Sequence, residues 1–179
     1  MIKSSPKSHT STFEELAVIF DSWLNDWRPI DNSLKIEEYF GKGYGVKRSL
    51  QKLHKFEKVK LKNDFKGIYL FLKNGKPFYT GISKHVIERI NQHVKGTNHF
   101  SSSLSYRIGA DEYLNRNGES HTGGREGLDF EKYAEPAKSE LIKCEVSLFR
   151  VEKDLDLYLF EVYIAMKLKT LYYNEFRTH

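Results

Sequence analysis

Gly67-Ile68-Tyr69-Leu70-Phe71-Leu72-Lys73-Asn74-Gly75-Lys76-Pro77-Phe78-Tyr79-Thr80-Gly81-Ile82 is the stretch on which the reading of this 179-residue chain turns. Residues 68–72 and 78–80 are aliphatic, aromatic or β-branched, the side chains that suit a pleated surface. Lys73-Asn74-Gly75-Lys76 supplies turn chemistry between them, so the stretch is predicted to be a β-hairpin. Two registers fit. A two-residue Asn74-Gly75 turn pairs Tyr69 with Thr80 and sends Tyr69 and Tyr79 to opposite faces. A three-residue loop, Lys73 to Gly75 with Gly75 left-handed, pairs Tyr69 directly with Tyr79. The local sequence does not choose between them.

Downstream, Ser83 is expected to cap a helix over about 84–95. At about 100° per residue, Val86, Ile87, Ile90 and Val94 form one stripe and His85, Arg89, Gln92 and His93 another. A guanidinium and two imidazoles on one face match an anion site; a solvated polar face is the plainer reading. A further helix is predicted from near Ser101 to about Asn115. Residues 116–138 are polar, carry Gly118, Gly123, Gly124 and Gly127, and read as a long loop or insertion. Leu141 to Val151 alternates as a strand, and Cys144 within it reads as a core thiol. The run from Leu155 to Met166 reads as a buried helix, opening at Asp154 or Asp156 and continuing to about Thr170. Glu161 lies inside it. A carboxylate in apolar surroundings is costly unless a metal ion or a cation offsets it, which marks Glu161 as a functional candidate. The plainer reading is a helix whose single polar stripe faces water.

Upstream, residues 1–10 look disordered. Thr12 and Glu15 form a capping-box signature. Phe13, Leu16, Ala17, Phe20, Leu24 and Trp27 recur at helical spacing until Pro29. The Gly41, Gly43, Gly45 run lacks the Lys-Ser/Thr of a phosphate loop and reads as a turn. Residues 47–60 read as a short basic helix with Leu50, Leu53 and Phe56 inward. The chain is 39% apolar, enough for one core and a small appendage. It holds no apolar run of membrane-spanning length, and no membrane partner is expected. One cysteine suits a reducing compartment, so a cytoplasmic location is expected. Residues 35–66 carry ten Lys/Arg against four Asp/Glu, and residues 67–106 five against one. Residues 107–140 are acidic, with eight Asp/Glu against five Lys/Arg. A basic middle fits a polyphosphate partner.

The order hairpin, cationic helix, helix, strand, acid-bearing helix carries Gly67-Ile68-Tyr69 and, ten residues after that tyrosine, Tyr79-Thr80-Gly81. It resembles the GIY-YIG nuclease superfamily over about residues 65–176. The family has an arginine ten residues after the second tyrosine, where Arg89 stands. Homing and restriction members add a histidine one turn later, which His93 matches; His99 resembles a further histidine of some members. Glu161 corresponds to the metal-binding glutamate and Asn174 to a late asparagine. Thr80 departs from the usual isoleucine.

The resemblance implies an α+β fold: a small three-stranded antiparallel sheet (the hairpin plus a later strand) flanked by helices. Residues 1–64 would be an N-terminal helical, basic extension. Residues 65–179 would be the core, with an acidic insertion at about 107–140. It also implies both tyrosines at one site, and hence the three-residue loop. The implied activity is hydrolysis of DNA, double-stranded in the leading reading, by direct attack of water. Tyr69 would be the base with Tyr79 beside it and Arg89 the phosphate clamp; Arg89, the metal and His93 would assist the base, either by lowering the phenol pKa or by relaying its proton. Asn174 would orient a reacting group, His99 would contact substrate or support a helix start, and Glu161 would hold Mg2+ (or Mn2+). A homo-oligomer is one route to cutting both strands. Two alternatives are a catalytically inactive nucleic-acid-binding module on the same fold and a protein–protein adaptor using the Trp23/Trp27 helix. A repair incision protein would need more domains than 179 residues hold.

Overall fold

The structure, a computed structural model, describes residues 3–4, 12–56 and 61–174. Its elements are β1 (Lys3–Ser4), α1 (Phe13–Trp27), β2 (Leu34–Lys35), α2 (Ile36–Phe40), α3 (Val46–Lys55), β3 (Gly67–Lys73), β4 (Lys76–Ser83), α4 (Val86–Lys95), α5 (Ser103–Asn117), α6 (Glu135–Leu141), β5 (Glu145–Arg150) and α7 (Asp154–Lys167). A 3-10 turn at Arg125–Gly127 and a π-helical turn at Phe130–Ala134 lead from α5 into α6. The reading of residues 1–10 falls largely outside the described residues, as does the end of the basic helix at 57–60.

The α+β class holds, and β3 lies between antiparallel β4 and β5 as expected. The sheet is larger than the three strands predicted. Its hydrogen-bonded path runs through four strands, β1-β5-β3-β4, and β2 also pairs with β5. Lys3 sits opposite Phe149 in parallel, and Leu34 opposite Val146 in antiparallel fashion. These additions are two residues long, too short to show any period of two. They form because the outer edge of β5 offers unpaired backbone groups.

The hairpin combines the two registers considered. Its turn is the two-residue one: Lys73 pairs with Lys76, and Asn74 and Gly75 both have positive φ, 53° and 72°. A β-bulge then shifts the register, because Leu72 pairs with Pro77 while Phe71 pairs with Tyr79. Phe78 is the extra residue. Tyr69 therefore faces Gly81, not Tyr79 as the three-residue loop would have it. The expected outcome survives by another route: one inserted residue returns Tyr69 and Tyr79 to the same face, two pairs apart.

Both faces of the sheet are covered, which is why β3 reads as a continuous apolar run. On one face Tyr69, Phe71, Tyr79, Val146 and Leu148 pack with Val86, Ile87, Ile90 and Val94 of α4, and with Leu53, Leu104 and Leu141. On the other, Ile68, Leu70, Leu72 and Phe149 pack with α1 and α7. Trp23 and Trp27 are buried there, with ring centroids 6.1 and 5.3 Å from Phe149. An adaptor surface built on these tryptophans is therefore excluded. The Thr12/Glu15 capping box of α1 is present, with Thr12 Oγ1 accepting from Glu15 N and Glu15 Oε2 from Thr12 N.

Two local expectations change. The segment expected as a loop or insertion is largely helical. Tyr133, Ala134, Ala137 and Leu141 bury one side of it, and Gly109 of α5 lets the Tyr133 backbone come close. Small residues among charges hid that periodicity. Nor does Ser83 cap α4; its hydroxyl accepts from His85 N. The amides of Ile87 and Glu88 donate instead to the two Asp64 oxygens, at 2.8 and 3.0 Å. The cap comes from a residue outside the helix, and it fixes the helix that carries Arg89 and His93. Asp64→Ala should lower stability by about 1–2 kcal/mol, the cost of a lost N-cap. Urea denaturation should show a lower midpoint at an unchanged slope; an unmoved midpoint would contradict this account of α4.

Candidate active site

Tyr69 of β3 and Tyr79 of β4 project from one face, their ring centroids 6.1 Å apart. Gly81 makes room for the first. A Cβ at Gly81 would fall inside the contact radius of the Tyr69 ring and hydroxyl, so the ring can lie across β4 only where no side chain stands. The Tyr69 hydroxyl is 2.8 Å from His93 Nε2. His93 is completely buried, with its ring 5.5 Å from Tyr69 and 5.7 Å from Tyr79. Its carbonyl accepts from the hydroxyls of Ser102 and Ser105, which tie the start of α5 to the end of α4.

Arg89 stands one turn before His93. Its Nη1 donates to Gln92 Oε1 at 2.8 Å and to the Ser101 carbonyl at 3.0 Å, and its Nη2 to Ser103 Oγ at 2.6 Å. The Gln92 and Ser contacts hold the planar fork in one orientation, as bidentate anion binding requires. Glu161 arrives from α7, which packs along β4. It is half-buried, not enclosed, because the neighbouring Tyr158 and Val162 are exposed.

The electrostatics follow from this crowding. Burial raises the Tyr69 phenol well above its ordinary value, and the charge of Tyr79 adds to this while Arg89 opposes it. Tyr79 is raised as well, first by burial, with Arg107 the leading influence in the other direction. The charge of Glu161 reaches Tyr79. His93 is pushed well below the usual imidazole range by burial, then by the positive charges of Arg89 and Arg107. It is neutral at pH 7, with Nε2 against the Tyr69 hydroxyl. Burial lifts Glu161 to about 7, with Arg107 holding it down in part.

Arg107, from α5, was not foreseen. It follows Ser103 by one helical turn on the same face, and Ser103 touches Arg89. That spacing would have revealed it, but only to a reader who knew of the Ser103 contact. Its Nη1 donates to the Tyr173 carbonyl.

The other candidates are placed as follows. Asn174 clamps the edge strand: its Oδ1 accepts from Thr80 N at 3.1 Å and its Nδ2 donates to Thr80 O at 2.5 Å. Its amide thus mimics a strand partner beside Tyr79. His99 is engaged elsewhere, with Nε2 2.7 Å from the Leu128 carbonyl and its ring against Tyr106 and Phe130. What this shows is a histidine that secures the segment after α5. His85 and His54 are exposed. Cys144 is buried, its thiol raised to about 11 by burial, as a core thiol should be.

Among the described residues no three His, Cys, Asp or Glu side chains converge. A cation here would rest on the Glu161 carboxylate alone. That donor set fits Mg2+, which takes one or two carboxylates and completes its octahedron with water and phosphate oxygens. The acid's raised pKa means its charge is poorly compensated by the protein, as expected of a carboxylate kept for a cation.

A stability test follows from Glu161. Its folded pKa lies above the unfolded value of 4.5, so ionisation costs stability that grows as pH rises from about 4.5 to about 7 and is complete above. In EDTA, Glu161→Gln should stabilise the protein by about 3 kcal/mol at pH 8 and by under about 1 kcal/mol at pH 5. Equal effects at both pH values in thermal melts would show the acid to be solvated.

Comparison with known proteins agrees with this geometry. The family model of the GIY-YIG catalytic domain matches residues 65–154. No curated protein and no solved structure matches the chain. The matched segment contains Tyr69, Tyr79, Arg89, His93 and His99, while Glu161 and Asn174 are brought to it by the fold. The chain belongs to the GIY-YIG nuclease superfamily.

Proposed function

We propose that this chain is a metal-dependent endonuclease that hydrolyses DNA phosphodiester bonds by direct attack of water. The observation that carries the reading is the 2.8 Å contact between the Tyr69 hydroxyl and His93 Nε2, beside a held Arg89. A buried phenol with a raised pKa is a poor base alone. A phenol bonded to a neutral imidazole can take a proton from water as it gives its own to Nε2. Burial and two nearby guanidiniums keep His93 neutral and a weak base; the negative charge of a phosphate at Arg89 would offset those cations and raise its basicity as the proton moves.

In this reading the scissile phosphate lies over Tyr79, with its non-bridging oxygens toward the Arg89 fork. Water attacks phosphorus, its proton passes to the Tyr69 oxygen, and the Tyr69 proton passes to His93. The bond to the 3′ oxygen breaks, leaving a 5′ phosphate and a 3′ hydroxyl protonated from solvent. Glu161 would hold a divalent cation, Mg2+ or Mn2+, and the chemistry supplied there would be neutralisation of charge on the leaving oxygen. Asn174 acts at one remove, by fixing the strand that bears Tyr79. His99 is a positioning residue in this scheme. The basic balance of residues 35–106 supports a duplex DNA partner. No described helix is long and apolar enough to cross a membrane.

The test is cleavage of supercoiled plasmid in Mg2+, with EDTA as control. Tyr69→Phe and His93→Ala should each lower the rate about 10²–10⁴-fold, the range for loss of acid–base catalysis. Arg89→Ala should cost at least about 10²-fold through lost charge stabilisation. A wild-type protein that retards DNA without nicking it would favour the inactive binding module instead.

A further inference from the structure

Next to the site lies a cavity of about 400 Å³ that the scheme above does not use. Its walls include Tyr106 and Arg107 of α5, His121 and Arg125 of the following segment, and Tyr172 and Tyr173. Chain connectivity places it. Tyr173 adjoins Asn174, which is bonded to Thr80, which adjoins Tyr79. Arg107 spans the two places. It donates to the Tyr173 carbonyl in the cavity wall, and its charge reaches Tyr79, His93 and Glu161. A ligand filling the cavity would thus lie beside the residues that face the proposed phosphate.

The lining is specific in chemistry. The Arg125 guanidinium lies 5.3 Å from the Tyr106 ring centroid, and the Tyr106 hydroxyl contacts His121 Nε2 at 3.2 Å. Tyr172 and Tyr173 meet edge to face at 4.8 Å, and Tyr172 is 77% exposed, so one ring face is open to a ligand. Two guanidiniums oppose the single acid of the cavity, Asp111. Flat rings and net positive charge together suit a planar, aromatic group attached to phosphate: stacking for the base, arginine for the backbone. The volume is that of a small-ligand pocket. A purely hydrophobic ligand would make no use of the positive charge of the lining, and a simple anion would leave the tyrosine rings unused.

We propose that this cavity receives an unstacked nucleobase from the nucleotide flanking the scissile phosphate. The proposal rests on the phosphodiesterase reading and names its substrate class: DNA whose bases come out of the stack at the cut. Stacking on the tyrosines offsets the cost of opening the helix, which is least at mismatches and single-stranded stretches.

The test measures binding of thymidine 3′,5′-bisphosphate and of its base-free tetrahydrofuran analogue by calorimetry. The wild type should prefer the base-bearing ligand by at least about tenfold, the effect of one stacked base. In Tyr172→Ala that preference should fall to about twofold or less while the affinity for the base-free analogue stays, whereas Arg125→Gln should weaken both ligands by at least about threefold. Arg89→Ala should weaken both ligands alike. Equal wild-type affinities would overturn the nucleobase site and leave the nuclease reading standing, as would a preference that persists in Tyr172→Ala. Failure of the wild type to bind either bisphosphate would remove the nuclease reading, and this one with it.

Discussion

One extra residue in a strand governs the site. Phe78 has no partner across the hairpin, and that bulge rotates everything C-terminal to it in β4 by one pleat. Tyr79 then shares a face with Tyr69, and Gly81 stands opposite Tyr69 where a side chain would collide with the ring. The Tyr69 hydroxyl can then reach His93 on α4. Without the bulge, the Asn74-Gly75 turn would put the two phenols on opposite sides of the sheet. One would face α4 and the other the aromatic layer of α1 and α7. The bulge is thus the geometric precondition for the cluster.

Around that geometry the fold manages an electrostatic conflict. It buries two phenols and an imidazole, each of which burial drives toward its neutral form. It sets two guanidiniums beside them, and those guanidiniums lower the phenol values that burial has raised. After burial, both positive charges also disfavour a protonated His93, and Arg107 alone of the two partly holds Glu161 ionised. Neutral acceptor, protonated phenol and available carboxylate can therefore coexist near pH 7. The proposed hydrolysis would draw on such a set, because a proton must leave water while negative charge builds at phosphorus.

The surrounding structure mostly supplies rigidity. Asp64 caps α4 from outside, Ser102 and Ser105 hold the His93 carbonyl, and Asn174 occupies the free backbone edge at Thr80. Edge strands present unpaired backbone groups, and a side-chain amide can satisfy one donor and one acceptor together. The segment after α5 brings His121 and Arg125 to Tyr106 of α5 around a cavity joined to the first site through Arg107.

Much of this was legible beforehand. The hairpin, the stripe of α4, the cap of α1 and the isolation of Glu161 are all local patterns, and residue types at fixed spacing suffice to read them. The resemblance of Tyr69, Tyr79, Arg89 and Glu161 to the GIY-YIG pattern needed only their order. The bulge at Phe78 did not show, because a one-residue register shift is chosen by packing on both sheet faces and not by the turn. The two-residue strands β1 and β2 did not show either, since they exist only where β5 offers an edge. The Arg107–Tyr173 bond, the Asp64 cap and the Asn174 clamp join residues 23 or more positions apart. Such contacts have no period in the chain, and they appear only when the folded layers bring distant segments together.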